Sequence, residues 1–343
     1  MKELYMGIDL GVKVCAWHVL DKKGNTVDKG EFETSERLLI DSACGHPGNV
    51  NVLFEECELS GWAYRALLPF VKEVKACDPR HNAWIAKAGN KSDAVDAYKL
   101  AEHLRINRYV EVYNPDDEGM AAFKKAVQQE VRLSKSVAKG KLQLKAQLRR
   151  EGVQYSGGEP YSVKGIKKLV EKIQNETVRE LILQNFRMMK HLEEEKKIAI
   201  MRLSSFQSRL PILRDFLEVP GVGIQTSCRF VAFVQTPYRF SSIRKLWKYC
   251  RLAVIKRSSD GKPIGRERLD RNANGILKDM TRKVFNAALR CRKDNLFSRT
   301  YKRSLARTKN DVHARLSTQR KIVSVLYAMW RDGAKYNDLI DRV

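Results

Sequence analysis

Two apolar runs and a third, alternating strand-like stretch fall within the first 32 residues, separated by turn signals, and they commit the start of the chain to an antiparallel sheet. Leu4 to Leu10 reads as a buried strand, Gly11 marks a turn, and Cys15 to Leu20 reads as a second strand. Lys22-Lys23-Gly24-Asn25 makes a hairpin turn into a third strand, Thr26 to Phe32. A helix over Ser35 to Cys44 leads through the Gly45-to-Gly48 loop into Asn51-Val52-Leu53-Phe54-Glu55, an apolar run that stops at acids. Trp62 to Val71 as helix and Val74 to Cys77 as strand then add a parallel β-α-β step, after which Asp78-Pro79 breaks into a loop.

That loop ends at Asn90-Lys91-Ser92-Asp93-Ala94-Val95-Asp96-Ala97, where a second constraint appears. Leu100, Ala101 and Leu104 recur at helical spacing, so Asp93 and Asp96 stand three apart on one face of a first helical turn. Capping by Ser92 and the helix dipole account for acids there without any chemistry. Convergence with Asp9, at the end of the first strand, and Glu55, at the end of the fourth, points instead to bound metal. Mg²⁺ prefers hard oxygen ligands, and paired ions stabilise the attacking and leaving oxygens of a phosphodiester. Among Glu55, Glu56 and Glu58, a solvated acidic turn explains any one equally well.

Charge divides the chain. Residues 1–100 hold 13 Lys+Arg against 15 Asp+Glu, a balance of −2, and residues 101–343 hold 52 against 25, a balance of +27. An acid-bearing domain joined to a basic body suits an enzyme that holds metal in one place and polyanion in another, with nucleic acid the leading partner. A membrane surface fits less well, because the cations are spread through several structured segments. Seven widely separated cysteines without a C-x-x-C pair argue against zinc or a disulfide framework. No signal-peptide apolar region and no run of about 18 apolar residues occurs, so a reducing, cytosolic compartment is expected.

Gly119 to Arg150 reads as one long basic helix, and Gly152 to Gly165, with paired glycines and Pro160, as a linker or exposed loop. From Ile166 to Leu203, apolar residues at spacings of three and four fit a coiled-coil hairpin or dimerisation helix, the alternative being an amphipathic helix lying on its own domain. Residues 206–343 carry 31 Lys+Arg against 11 Asp+Glu. Their first landmark, Val219-Pro220-Gly221-Val222-Gly223, resembles a helix-hairpin-helix turn, in which Gly221 and Gly223 let amides approach a DNA phosphate; a ligand-free tight turn needs the same glycines. The second runs from Tyr238-Arg239-Phe240 through Leu246, Tyr249 and Leu252 to Lys256-Arg257-Ser258-Ser259-Asp260-Gly261-Lys262, where two serines sit in a basic loop. Arg299 to Val343 reads as basic helices that complete this domain.

The opening domain resembles the ribonuclease-H fold. Gly7-Ile8-Asp9-Leu10-Gly11 also resembles the first strand of actin-like ATPases, but the second glycine-rich phosphate loop those proteins need is missing from the chain. Gly7-Ile8-Asp9, Phe54-Glu55 with Gly61 and Tyr64-Arg65-Ala66-Leu67, and Lys91-Ser92-Asp93-Ala94-Val95-Asp96-Ala97 together resemble the DEDD signature of the IS one-ten family of insertion-sequence recombinases, which includes Piv-type DNA invertases. The register of Tyr64-Arg65-Ala66-Leu67 selects Glu55, and Ser92 replaces the family's usual threonine.

The resemblance implies an α/β ribonuclease-H-like (RuvC-like) domain over residues 1–150, a linker and coiled coil over 151–208, and a mainly α basic domain over 209–343. It implies Mg²⁺ at Asp9, Glu55, Asp93 and Asp96, and a loop serine that attacks DNA. Counting from Leu252 puts that serine at Ser259, with Ser258 as fallback and Arg257 and Lys262 neutralising phosphate nearby. Asp260 before Gly261, and the loss of the last glycine in Gly265-Arg266-Glu267-Arg268-Leu269-Asp270-Arg271-Asn272-Ala273, depart from the family's loop. The function so implied is an RNA-guided DNA recombinase or transposase in the bacterial cytoplasm, associated with the nucleoid when acting. Its partners would be donor and target DNA, a structured non-coding guide RNA and further copies of itself, as a dimer or tetramer. A hydrolytic DNA junction resolvase would leave Ser259 idle, and a non-catalytic RNA- or DNA-binding protein would leave the acids idle as well.

Overall fold

The three opening stretches form strands β1 (Glu3–Asp9), β2 (Val14–Leu20) and β3 (Thr26–Glu33) of an antiparallel meander. The computed structural model describes residues 2–46, 48–81, 92–115, 117–256, 258–260, 262–263, 265, 267–270 and 272–337. It divides into two compact units, Met1–Glu118 and Gly119–Val343.

In the first unit, Ser35 caps helix α1 (Glu36–Cys44) by accepting the Leu38 amide, and β4 (Asn49–Glu55) then returns parallel to β1. Helix α2 (Ser60–Leu67) stops four residues short of the expected Val71, because Pro69 has no amide to donate to the Arg65 carbonyl. Strand β5 (Glu73–Cys77) lies parallel to β4. Helix α3 (Asp93–Arg105) follows, and a short edge strand that the sequence did not announce, β6 (Glu111–Val112), closes the sheet in the order β3-β2-β1-β4-β5-β6. Leu4, Met6 and Ile8 of β1 pack with Val52 and Phe54 of β4 against Leu39 of α1 and Leu67 of α2. The opposite face buries Leu53 and Cys77 under Leu100 and Leu104 of α3. A mixed α/β sheet with helices on both faces is consistent with a ribonuclease-H-like domain.

The second unit is mostly helical. Helix α4 (Glu118–Arg150) has 33 residues, about 50 Å at helical rise. The sequence reading placed it in a first domain ending at 150, but its Phe123, Val127 and Val131 join the core of the second unit. An apolar helical face shows that a helix packs and says nothing about which core it packs into. Beyond α4, residues 152–165 are more than a linker: Val153 and Pro160 are buried beside helix α5 (Val163–Val170). The segment expected as a coiled-coil hairpin or dimerisation helix divides into α5 and α6 (Glu176–Ser205), with Asn175 capping α6. Ile182, Phe186 and Met189 of α6 bury against Leu144 and Leu148 of α4, with α5 covering the tip. Part of the apolar face is thus buried within one chain, while Leu181, Met188, Ile198 and Met201 stay exposed.

Helices α7 (Ile224–Val234), α8 (Ile243–Tyr249), α9 (Gly275–Arg290), α10 (Leu296–Thr308) and α11 (Asp311–Asp332) build the rest around Phe216, Phe230, Met280, Phe297 and Leu326. The basic tail is helical as expected, broken at left-handed Lys309 with Asn310 capping α11. All seven cysteines are free thiols. Among the described residues, no helix is long and apolar enough to cross a membrane.

Candidate active site

Strand register brings the first two acids into line. Ile8 pairs with Phe54 across the parallel β1–β4 ladder, and Asp9 and Glu55 each stand one residue beyond that pair, at the same edge of the sheet. Side chains alternate along a strand, so Asp9 follows Tyr5 and Gly7, and Glu55 follows Leu53, on the face covered by α3. Helix α3 runs antiparallel to β1: Ala97 and Ala101 lie against Gly7, while Arg105 reaches the Lys22 carbonyl at the far end of the sheet. Its first turn, with Asp93 and Asp96, is therefore at the Asp9 edge.

Ser92 caps α3 by accepting the Val95 amide, so the capping role expected of this turn is met alongside any other. Asp93 is exposed and Asp96 buried. Asp96 Oδ1 has no hydrogen-bond partner among the described residues; Lys99 Nζ, which the sequence reading passed over, stands 3.5 Å away at i+3 and is likewise without a hydrogen bond. Asp78, one residue past β5, is taken up by Arg80 Nε at 2.9 and 3.1 Å. Among the described residues, no group of three or more His, Cys, Asp or Glu side chains is gathered as a metal-holding set. The carboxylate chemistry and the buried Asp96 oxygen, which no described residue hydrogen-bonds, nonetheless fit a hard cation.

The serines belong to a hairpin. Strand β7 (Val254–Ile255) pairs with β10 (Arg268–Leu269), and beyond it β8 (Ser258–Ser259) pairs with β9 (Lys262–Pro263), Ser259 opposite Lys262. Asp260 has φ 50°, the left-handed backbone of a two-residue turn, and a D-G pair is a preferred composition for such a turn. The intervening aspartate, a departure at the level of sequence, thus has a local structural role. Ser258, Ser259 and Lys262 are exposed; Arg257 and Gly261 lie outside the described residues. Lys256 and Glu267 form a 2.8 Å ion pair between the two arms. At the base, Arg320 of α11 donates from Nε and Nη2 to the Leu252 carbonyl (2.9 and 2.7 Å) and lies over the Trp247 ring, and burial pushes its pKa down. Nothing in the sequence around Arg320 pairs it with a carbonyl 68 residues earlier.

Arg239 lies over the rings of Tyr249 and Phe240, which ties the Arg-Phe element to α8. Gly221 has φ 83°, and a Cβ there would meet the backbone of Val284 and Ala288 in α9 at 2.5 and 2.6 Å, so its glycine is required inside the protein. Gly223 has open space around its α-carbon, and its amide donates to Thr226 Oγ1.

Two family models match these regions. One, a DEDD transposase model of the IS110 type, covers residues 6–151, and the other, described as transposase IS116/IS110/IS902 family, covers residues 213–302. The chain belongs to the IS110 family of transposases. All four acids lie in the first match and the serine hairpin in the second. A curated relative from Streptomyces coelicolor, an insertion element IS110 uncharacterized 43.6 kDa protein, is 32% identical over 146 residues. That match spans 42% of this chain and 35% of the relative, about a third of the latter's length.

Proposed function

We propose that this IS110-family transposase is an RNA-guided DNA recombinase that cleaves and exchanges strands through a covalent link between DNA and Ser259. The observation that carries the reading is Ser259 itself: an exposed hydroxyl beside the left-handed Asp260 turn, paired across the hairpin with Lys262. Serine Oγ attacks the phosphorus, its proton passes to a base, the P–O bond to the neighbouring nucleoside breaks, and that oxygen leaves as a hydroxyl after taking up a proton. The phosphoserine conserves the phosphodiester bond energy, so attack by a second strand's hydroxyl reverses the step and rejoins DNA without ATP.

Serine is a weak nucleophile at its ordinary pKa and needs activation. Held among Asp9, Glu55, Asp93 and Asp96, Mg²⁺ would acidify that hydroxyl and offset charge on the phosphate. Asp96 would enter the set with an oxygen that no described residue hydrogen-bonds. Lys262, with Arg257, neutralises phosphate at the hairpin, and the diffuse excess of cations beyond residue 100 suits backbone contacts to a guide RNA while base pairing selects donor and target DNA. Both sites must reach one phosphodiester, which a dimer or tetramer of the chain would permit.

A suicide DNA substrate with Mg²⁺ and the RNA flanking the coding region tests the reading. Ser259→Ala abolishes the protein–DNA adduct and retains binding, and Asp93→Ala abolishes the adduct too. If only Ser258→Ala abolishes it, the nucleophile is the neighbouring serine; if both serine variants cleave normally, a hydrolytic resolvase replaces the recombinase.

A further inference from the structure

A cavity of about 880 Å³ lies in the helical unit at the foot of the serine hairpin. Arg251 and Asn274, which both line it, are the points between which the hairpin leaves the helices: the Asn274 amide donates to the Tyr249 carbonyl, and Arg251 Nε donates to the Ala273 carbonyl. Five cations line the cavity, Lys135, Arg229, Arg251, Arg282 and Lys283, against one anion, Asp279.

The floor is built and rigid. Arg229 is 3% exposed and donates from Nε and Nη2 to the fully buried Glu130, whose Oε1 also accepts from Ser134 and Gln225. With both carboxylate oxygens engaged there, Arg229 Nη1 is 3.9 Å from Asp279 Oδ2. Asp279 in turn holds Arg282 at 2.6 Å and Lys283 at 2.8 Å. One carboxylate thus faces three cations, and Lys135 and Arg251 add two more. A Cβ at Gly275 would sit 3.0 Å from Arg251 Nη1, so the glycine leaves that guanidinium room against α9.

We propose that this cavity binds a backbone phosphate of a nucleic-acid strand and so positions that strand along the foot of the hairpin. A concave wall carrying excess charge of one sign focuses the field, and guanidinium and ammonium groups are the donors a phosphodiester oxygen accepts from best. A neutral ligand would leave that excess unbalanced, and the volume accommodates a phosphate with its sugar. Ser259 is eight residues beyond Arg251, at most about 26 Å of extended chain, so a strand seated here passes within reach of the hairpin. The inference rests on the nucleic-acid reading of the protein but not on Ser259 as nucleophile.

The test is binding of the full-length protein to fluorescent 20-nucleotide single strands, one of DNA and one of RNA, by anisotropy across a salt series. The probe variant is K135Q/R282Q/K283Q, all exposed positions, and the control is R187Q/R202Q/R209Q, which removes the same charge from exposed positions elsewhere. Loss of that phosphate contact weakens binding about tenfold and flattens the log K against log salt slope by about 0.7, while the control changes affinity about twofold. A loss confined to one strand type identifies DNA or RNA as the occupant. Equal losses in probe and control overturn the proposal, because charge would then act without a site. Wild-type protein that binds neither strand removes the nucleic-acid reading itself. Repeating the series in Ser259→Ala keeps this result apart from adduct formation.

Discussion

Gly7→Ala tests whether the acid-bearing helix is held where the register places it. Gly7 lies in β1 where α3 crosses, and an added Cβ would lie 2.1 Å from the Ala97 carbonyl oxygen, 2.3 Å from the Ala101 nitrogen and 2.8 Å from Leu100 Cβ. Ordinary contact begins at 3.4 Å, so α3 must retreat by about 1.3 Å, the difference from 2.1 Å. The first two atoms are backbone and cannot rotate aside. A retreat of that size also opens the layer of Leu53, Cys77, Leu100 and Leu104. Overpacking at this severity costs about 3 kcal/mol, or about 10 °C in the midpoint of a domain this size. Displacing Asp93 and Asp96 by about 1 Å lowers strand cleavage about a hundredfold. Hydrogen exchange of residues 93–105, with a thermal melt of the full chain, reads the effect. Gly61→Ala is the control, its nearest neighbour being Arg65 Nη1 at 3.6 Å. Unchanged α3 protection and an unchanged midpoint in Gly7→Ala would refute the close approach.

Other outcomes follow from the same coordinates. Arg320→Lys cannot make both bonds to the Leu252 carbonyl, and it should raise hydrogen exchange across residues 252–270 by the equivalent of about 1.5 kcal/mol while the global melt stays put; unaltered exchange there removes Arg320 as the hairpin's anchor. A thiol reagent on native protein should label Cys44, Cys57 and Cys291 quickly and Cys15, Cys77, Cys228 and Cys250 only on unfolding, since burial shields the second group and pushes the Cys228 thiol up to about 12; a fast fourth thiol contradicts this packing. Burial raises the Glu193 carboxyl, but ion pairs with Lys141 and Lys190 outweigh it and hold its pKa below 4.5. A depressed carboxylate stabilises above its unfolded pKa and loses that contribution as pH falls. Glu193→Gln should therefore loosen the α4–α6 pair at pH 7, with the difference from wild type vanishing as pH drops below 4.5 and through the lowered value; a difference that persists in acid would mean packing rather than charge.

Much of the first unit was legible because turn chemistry and apolar runs agree locally. Lys22 to Asn25 separates β2 from β3, Ser92 announces the start of α3, and the acids at the ends of β1 and β4 follow from where those apolar runs stop. What was not legible depends on contacts between distant residues. Periodicity found α4 but not the core that receives it, and it found the apolar spacing of α5 and α6 but not their partner, the second half of α4. Gly221 reads identically whether a phosphate or the backbone of α9 fills the space over its α-carbon. In the candidate site, strand-end carboxylates are visible as residue types, whereas Lys99 beside Asp96, the Arg320 anchor and the cavity behind Arg251 exist only through packing.

The neck of the serine hairpin has a consequence for how such an element persists. The Asp270 amide donates to the Ala253 carbonyl at 3.0 Å, so the two strands are already side by side where they leave the helices, and both Leu252 and Asp270 are buried below that point. Residues 254–269 can be replaced by a two-residue Asn-Gly turn without asking the helical core to move. If the hairpin does the cutting as proposed, folding and cutting are written in separable stretches of the gene. A copy that lost the stretch encoding the hairpin would then fold and occupy nucleic acid without cutting it, and in a cell carrying both forms it would compete with the intact protein.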